Sequence, residues 1–273
     1  MTKLCDMHIH SRSSHDSSAT VLEMANECIK RGAYAFAITD HCDIEFFDEA
    51  NAFSLTEASY KESTEVSKAV KGQIKTLCGA EIGEALWDMN STRKILDSFD
   101  FDVVIGSVHA VRYKDYTMPY STIDFSKMSE VQIDEYLSLY FDELLDTMKL
   151  NIFDIMAHLT CPLRYINGKY GLNVSSKKYE DKITAILEYI IKNDIAMEIN
   201  TSGINTNFGT LMPENWIIKK FKKMGGHIIT LGSDAHAPEN VLKGFDDTIK
   251  ILKEYGFDGY YYYEKRQKIK VEI

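Results

Sequence analysis

The chain carries two histidines two residues apart, in Cys5-Asp6-Met7-His8-Ile9-His10. Side chains on a strand alternate between faces, so His8 and His10 point to the same side. Protonated, the two imidazoles repel. Neutral, they offer paired donors to a metal such as Zn, Mn or Fe. Five more histidines, His15, His41, His109, His158 and His236, fall at or just after the C-terminal ends of predicted strands. The carboxylates Asp16, Asp40, Glu81 and Asp234 keep company with them. His227, behind Gly225-Gly226 at a strand start, reads as an ordinary histidine. One Asp-His pair alone is more often structural than chemical. The signal is the shared placement, and so many imidazoles and carboxylates exceed one metal's needs, implying two or three ions.

The elements that must position these residues alternate along the chain. Apolar runs predict strands over 4–10, 34–39, 74–82, 101–108, 152–157, 195–200 and 227–232. Thr20-Val-Leu-Glu23 has the form of a capping box opening a helix that Gly32 closes. Ser54-Leu-Thr-Glu57 predicts the start of a second helix, running to Gly72. Helices are also predicted over 92–98, 129–149 and 177–192, with Pro213 in the first turn of another and Pro238 opening the last helical region. The tail, 260–273, alternates apolar and polar and reads as a closing strand. Residues 112–127, with Tyr113, Tyr116 and Tyr120, read as a loop over the site. Repeated βα units predict an α/β fold with a mainly parallel sheet, and many strand ends feeding one site favour a closed barrel with a single mouth.

Of 273 residues 45% are hydrophobic, enough to bury one large core or two small ones, and four Pro and 15 Gly form no linker. A single domain over 1–273 is expected. The formal net charge of -10 argues against binding a nucleic-acid polymer or an anionic membrane. It leaves room for a small phosphorylated substrate, because bound cations reverse the field inside a site. The five cysteines, at 5, 28, 42, 78 and 161, include no C-x-x-C pair. With no apolar leader and no apolar stretch of about 20 residues, they are expected to be reduced thiols of a cytoplasmic protein. Nothing in the pattern indicates an oligomeric state.

His8-Ile-His10, Thr39-Asp40-His41, Gly79-Ala-Glu81, Gly106-Ser-Val-His109, Ala157-His158, Glu198-Ile-Asn200 and Gly232-Ser-Asp234-Ala-His236 together resemble the ordered motifs of the PHP (polymerase and histidinol phosphatase) superfamily, especially its histidinol-phosphate phosphatases. The resemblance spans essentially the whole chain. It implies a distorted (β/α)7 barrel with three divalent metal ions, Zn, Mn or Fe. His8, His10, Glu81 and Asp234 would hold one ion. Glu81 would bridge to a second, completed by His109 and His158. His41 and His236 would hold the third with Asp16, which has the family's spacing, or with the adjacent His15. Arg164, six residues after His158, matches an arginine that grips the substrate phosphate, and its planar fork suits phosphate oxygens. Arg12 is a further phosphate candidate, and Asn200 and Ser202 are candidates to line the pocket. Glu198 is expected to be packed behind the ligands, and Asp40 either orients a histidine or caps a strand end.

The implied activity is phosphomonoester hydrolysis, most simply of L-histidinol phosphate in histidine biosynthesis. Cations would neutralise the ester and activate a water for in-line attack with inversion. Asp16 or His15 would protonate the leaving oxygen if free of metal. Two alternatives stay open: another phosphorylated substrate (a nucleotide, a sugar phosphate or a phosphotyrosine protein), or a metal-binding protein without catalysis.

Overall fold

The computed structural model describes residues 3–273. Its centre is an eight-stranded, wholly parallel sheet in the order β1-β2-β4-β5-β6-β7-β8, with a short β3 added on β4. The strands are β1 (Leu4–Ile9), β2 (Ala33–Ile38), β3 (His41–Asp43), β4 (Lys75–Gly83), β5 (Val103–Ser107), β6 (Ile155–Met156), β7 (Ala196–Asn200) and β8 (Ile229–Gly232). They are buried almost throughout, as parallel strands covered on both sides must be. Helices α1 (Val21–Lys30), α2 (Ala52–Ala69), α3 (Met89–Ser98), α4 (Glu130–Met148), α5 (Cys161–Leu163), α6 (Glu180–Lys192), α7 (Asn215–Lys223) and α8 (Phe245–Glu254) lie between the strands. The first and last strands meet just past their ends. Ile9 bridges Ala235, the His10 N–H donates to the Ala235 carbonyl at 3.0 Å, and the Asp234 N–H donates to the His8 carbonyl at 2.8 Å. The sheet is thus nearly closed, a (β/α)7-like barrel.

Two capping boxes follow local sequence. Thr20 caps α1 with Glu23 returning to its backbone, and Ser129 caps α4 with Gln132 doing the same. Three expectations need correction. The second helix starts at Ala52, not at Ser54, because Asn51 turns through the left-handed region (φ 53°) and buries Ala52 first. Pro213 precedes the helix rather than sitting in its first turn. Met212 exchanges backbone hydrogen bonds with Asn200 at 2.9 and 3.0 Å, which holds the chain extended there. The tail is not a closing strand. With β1 and β8 already joined, β9 (Gly259–Glu264) pairs antiparallel with β10 (Gln267–Glu272) as a separate two-stranded sheet. Its turn is tied to the loops at the N-terminal ends of the barrel strands. Arg266 donates to the Asp154 carboxylate and, at 2.6 Å, to the Ile152 carbonyl. No helix among the described residues is long and apolar enough to cross a membrane.

Candidate metal centre and active site

Period-two alternation puts Asp6, His8 and His10 on one side of β1 and its extension. Parallel pairing sets Glu81 on β4 level with His41 on β3 and within 3.2 and 3.6 Å of His8 and His10, and the β1–β8 closure delivers Asp234 and His236 from the far end of the chain. Asp234 occupies the left-handed region at φ 52°. Asp6 acts as a buckle under this seam: its carboxylate accepts from the N–H groups of Ser233 (2.9 Å), Leu242 (3.2 Å) and His8 (3.3 Å). Burial pushes its pKa up to about 6 against these hydrogen bonds.

Hydrogen bonds fix the ring orientation of His8, His10, His109 and His236. His8 Nδ1 donates to Glu198 Oε1 at 2.6 Å, His109 Nδ1 to Asp43 Oδ1 at 3.1 Å, and His236 Nδ1 to the Asp234 carbonyl at 2.9 Å. His10 Nδ1 lies 3.0 Å from Ser14 Oγ. That hydroxyl already gives its hydrogen to Asp40 (2.7 Å) and accepts from the His41 N–H (3.0 Å), so the His10 ring must be the donor. All four rings therefore carry a proton on Nδ1 and turn Nε2 toward the centre, as metal-ligating histidines do.

The free donors converge in three groups. His8 Nε2 and His10 Nε2 lie 3.2 and 3.6 Å from Glu81 Oε2, and 3.9 and 3.3 Å from Asp234 Oδ1. Ligands about 2.1 Å from one tetrahedral ion would stand roughly 3.4 Å apart, so the four atoms form a seat of the right size. The other oxygen of Glu81, Oε1, is 3.2 Å from His109 Nε2 and 3.0 Å from His158 Nε2. Asp16 Oδ2 is 3.0 Å from His236 Nε2 and 3.7 Å from His41 Nε2, while His41 Nδ1 faces Glu81 Oε2 at 3.0 Å. His8 Nε2, His10 Nε2, His236 Nε2 and Glu81 Oε2 are buried with no hydrogen-bond partner among the described residues. Orphaned lone pairs at ligand spacing are what a divalent cation satisfies and what an apolar core avoids. The donor set therefore fits divalent metal, and its nitrogens and carboxylates suit Zn, Mn or Fe alike.

Burial disfavours charge on His8, His41 and His109, but Glu198 and Glu81 for His8, and Glu81 and Asp43 for the other two, outweigh it and raise these imidazoles well above their usual range, so a cation binding here competes with protons. Burial raises the Glu81 pKa, but His8, His109 and His41 outweigh it and hold the carboxyl well below its usual range. Asp234 behaves likewise, with burial overcome by His10, His8 and His236. Burial, then the neighbouring His236 and His41, keep His10 well below the usual imidazole range and hence neutral.

Supporting residues explain the rest of the architecture. Besides His8, Glu198 accepts from the His158 N–H at 2.7 Å, so it sits behind the ligands as expected. Gly232 is required beside it, since a Cβ there would fall on Glu198 Oε1 and 2.7 Å from the His8 Cβ. Asp40 accepts from the Ser11 N–H and from the hydroxyls of Ser11, Ser14 and Ser59 at 2.5–2.7 Å, and reaches His10 through Ser14. Two carboxylates escaped the sequence reading. Asp43 holds His109, and its position two residues after His41 on a strand was the available signal. Glu84, at φ 50°, accepts from the N–H groups of His109 and Ala110, and no local pattern announced it.

A cavity of about 380 Å³ opens over the donors, lined among others by His15, Asp16, His41, His109, His158, Asp234 and His236. Arg164 and Ser202 line it too, with Arg164 Nη1 donating to Ser202 Oγ at 3.1 Å. Asn200 does not line it. Fully buried, it accepts from the Ser202 hydroxyl at 2.7 Å and so props Ser202. Arg12 is also out of place for a phosphate contact, because its side chain is 58% exposed and ion-paired to Glu62 at 3.1 Å. His15, 69% exposed at the rim, is 4.0 Å from Asp16, whereas Asp16 reaches both His41 and His236. Of the three loop tyrosines only Tyr120 reaches the cavity; Tyr113 stacks on Tyr116 and donates to Glu135 at 2.6 Å. His227 is exposed, away from the cavity.

A family model, the PHP domain, matches residues 6–202. A Thermotoga maritima protein named "Probable histidinol-phosphatase" is 30% identical over 255 residues, covering 93% of this chain and 94% of its own. The histidinol-phosphatase of Lactococcus lactis is 29% identical over 259 residues, covering 93% and 92%. Among solved structures, the histidinol phosphate phosphatase of Lactococcus lactis, complexed with Zn, L-histidinol and phosphate, superposes with a TM-score of 0.80 over 98% of this chain and 99% of that one, at 22% identity. The fold is shared. With the matched span containing the His8, His41, Glu81, His109 and His158 motifs in order, the chain belongs to the PHP domain family.

Proposed function

We propose that this chain is a divalent-metal-dependent phosphomonoesterase whose substrate is L-histidinol phosphate. The observation that carries the reading is one carboxylate, Glu81, shared between two groups of orphaned donors, with Arg164 on the wall of the same cavity. Relatives named for histidinol phosphate match along nearly their whole lengths, which supports the choice of ester.

His8, His10, Glu81 and Asp234 would hold one ion, Glu81, His109 and His158 a second, and His41, His236 and Asp16 a third. Bound there, divalent cations neutralise phosphate oxygens and lower the pKa of water toward neutrality. Arg164 binds the phosphate, its guanidinium aimed by Ser202, which Asn200 holds in turn. With Asp16 drawn between His41 and His236, His15 is the group at the mouth left to protonate the leaving oxygen. Tyr120 and Pro119, also on the cavity wall, receive the organic part of the ester.

Phosphate release from L-histidinol phosphate and from a panel of nucleotides and sugar phosphates, with Zn, Mn or Fe added to chelator-treated protein, tests this. Preference for L-histidinol phosphate is expected. Equal rates across the panel would refute the substrate, and no release from any ester would refute the enzyme.

A further inference from the structure

Apart from histidines, the cavity wall contains two basic side chains, Arg164 and Lys243. They leave the barrel from different strands. Arg164 follows β6 and Lys243 follows β8, so they flank the loop after β7, whose Ser202, Asn205 and Thr206 also line the cavity. The backbone at Lys243 is firmly set. Leu242 (φ 56°) and Gly244 (φ 84°) are both left-handed, and the Leu242 N–H is held by Asp6, the same carboxylate that holds Ser233 beside Asp234. A Cβ on Gly244 would stand 3.1 Å from Ile204 Cδ1, so the turn is pressed against the β7 loop. The side chain is free by contrast. Its Nζ has one contact among the described residues, Asn240 Oδ1 at 3.4 Å, and no carboxylate partner, although acidic residues outnumber basic ones 41 to 31. Lys243 is thus an exposed lysine at the rim of the cavity, on a pinned backbone and with no carboxylate to hold its ammonium away from an anion bound there.

We propose that Lys243 is a second phosphate-binding cation of this site, paired with Arg164 across the β7 loop. The proposal rests on the reading of the cavity as a phosphomonoesterase site. One guanidinium cannot reach all the oxygens of a phosphate dianion, and a flexible ammonium on the other flank supplies the missing donor. It also sorts the ends of the substrate, since a phosphate ester that carries an amine is drawn in phosphate first, with its own ammonium repelled from the two cations.

The test uses metal-loaded protein and the variants Lys243→Met and Lys243→Arg. Inorganic phosphate is titrated calorimetrically, and L-histidinol phosphate turnover is measured at low and high salt. For Lys243→Met, phosphate affinity falls about five- to tenfold and KM rises by a similar factor, as loss of a charged contact at a partly solvated rim predicts. Its kcat stays within about twofold, its metal content is unchanged, and its KM depends less on salt. Lys243→Arg restores phosphate binding. Lys243→Met with the wild-type phosphate affinity would overturn the proposal, as would metal-loaded wild type that does not bind phosphate. If L-histidinol phosphate is not turned over, the substrate reading fails, and the phosphate titration still decides the role of Lys243.

Discussion

Replacing Glu198 by glutamine should cripple the metal centre without touching a metal ligand. The carboxylate is 1% exposed and accepts two strong hydrogen bonds, from His8 Nδ1 at 2.6 Å and from the His158 N–H at 2.7 Å. Glutamine keeps one acceptor and puts an amide NH2 where the other stood. If the NH2 faces the His158 N–H, two buried donors oppose each other. If it faces His8, that ring must move its proton to Nε2, the atom aimed at Glu81 and Asp234. Either outcome removes one buried, charge-assisted hydrogen bond, about 1.5–3 kcal/mol. For a chain of this size that lowers Tm by about 3–5 °C. Loss of a group orienting a ligand histidine also weakens metal affinity about ten- to hundredfold. The assay is metal retained per protein, by plasma emission, across a chelator titration, with thermal melting of the metal-free and loaded protein alongside. Glu198→Gln should release its first ion at a chelator concentration at least about tenfold lower than wild type. A wild-type chelator midpoint and Tm would refute the idea that Glu198 sets the His8 tautomer.

Further consequences are open to direct measurement. His109→Ala and Asp234→Asn should each lose bound metal and phosphatase activity together; activity lost with full metal content would contradict their place in the donor groups. Arg164→Ala should keep its metal and raise KM about tenfold or more, as loss of a charge-assisted phosphate contact predicts, while Arg12→Ala should leave both kinetic constants within about twofold because its guanidinium faces Glu62. Burial, with Glu84 and Asp43 nearby, raises the Glu45 pKa from 4.5 to about 8. The folded chain therefore holds this proton more tightly than the unfolded one, so the associated stability is full below the unfolded pKa and is lost as pH rises toward 8. Glu45→Gln, which mimics the protonated form, should gain Tm relative to wild type between pH 5 and pH 8.5; a constant difference across that range would refute the shift.

The sequence alone was enough to choose the chemistry. Alternation placed His8 and His10 on one face, and the motifs at predicted strand ends located the histidines that converge at the mouth. The capping box at Thr20 was also legible, since it depends on a residue three positions away, whereas the same pattern at Ser54 was overridden by the left-handed turn at Asn51. Tertiary structure decided what depends on which edges meet. Pairing of β1 with the segment after β8 sets Asp234 and His236 beside His8 and His10, and it leaves the tail to fold as its own hairpin. It also put Arg164 and Tyr120 on the cavity wall and left Arg12, Tyr113 and Tyr116 off it, drew Asp16 to His41 and His236, and brought in Asp43, Glu84 and Lys243. Local periodicity records the face on which a side chain starts. Where a long side chain on a loop ends up, and which distant carboxylate holds a ring, is set by packing between segments up to 200 residues or more apart, as in the Asp6 bonds to Ser233 and Leu242.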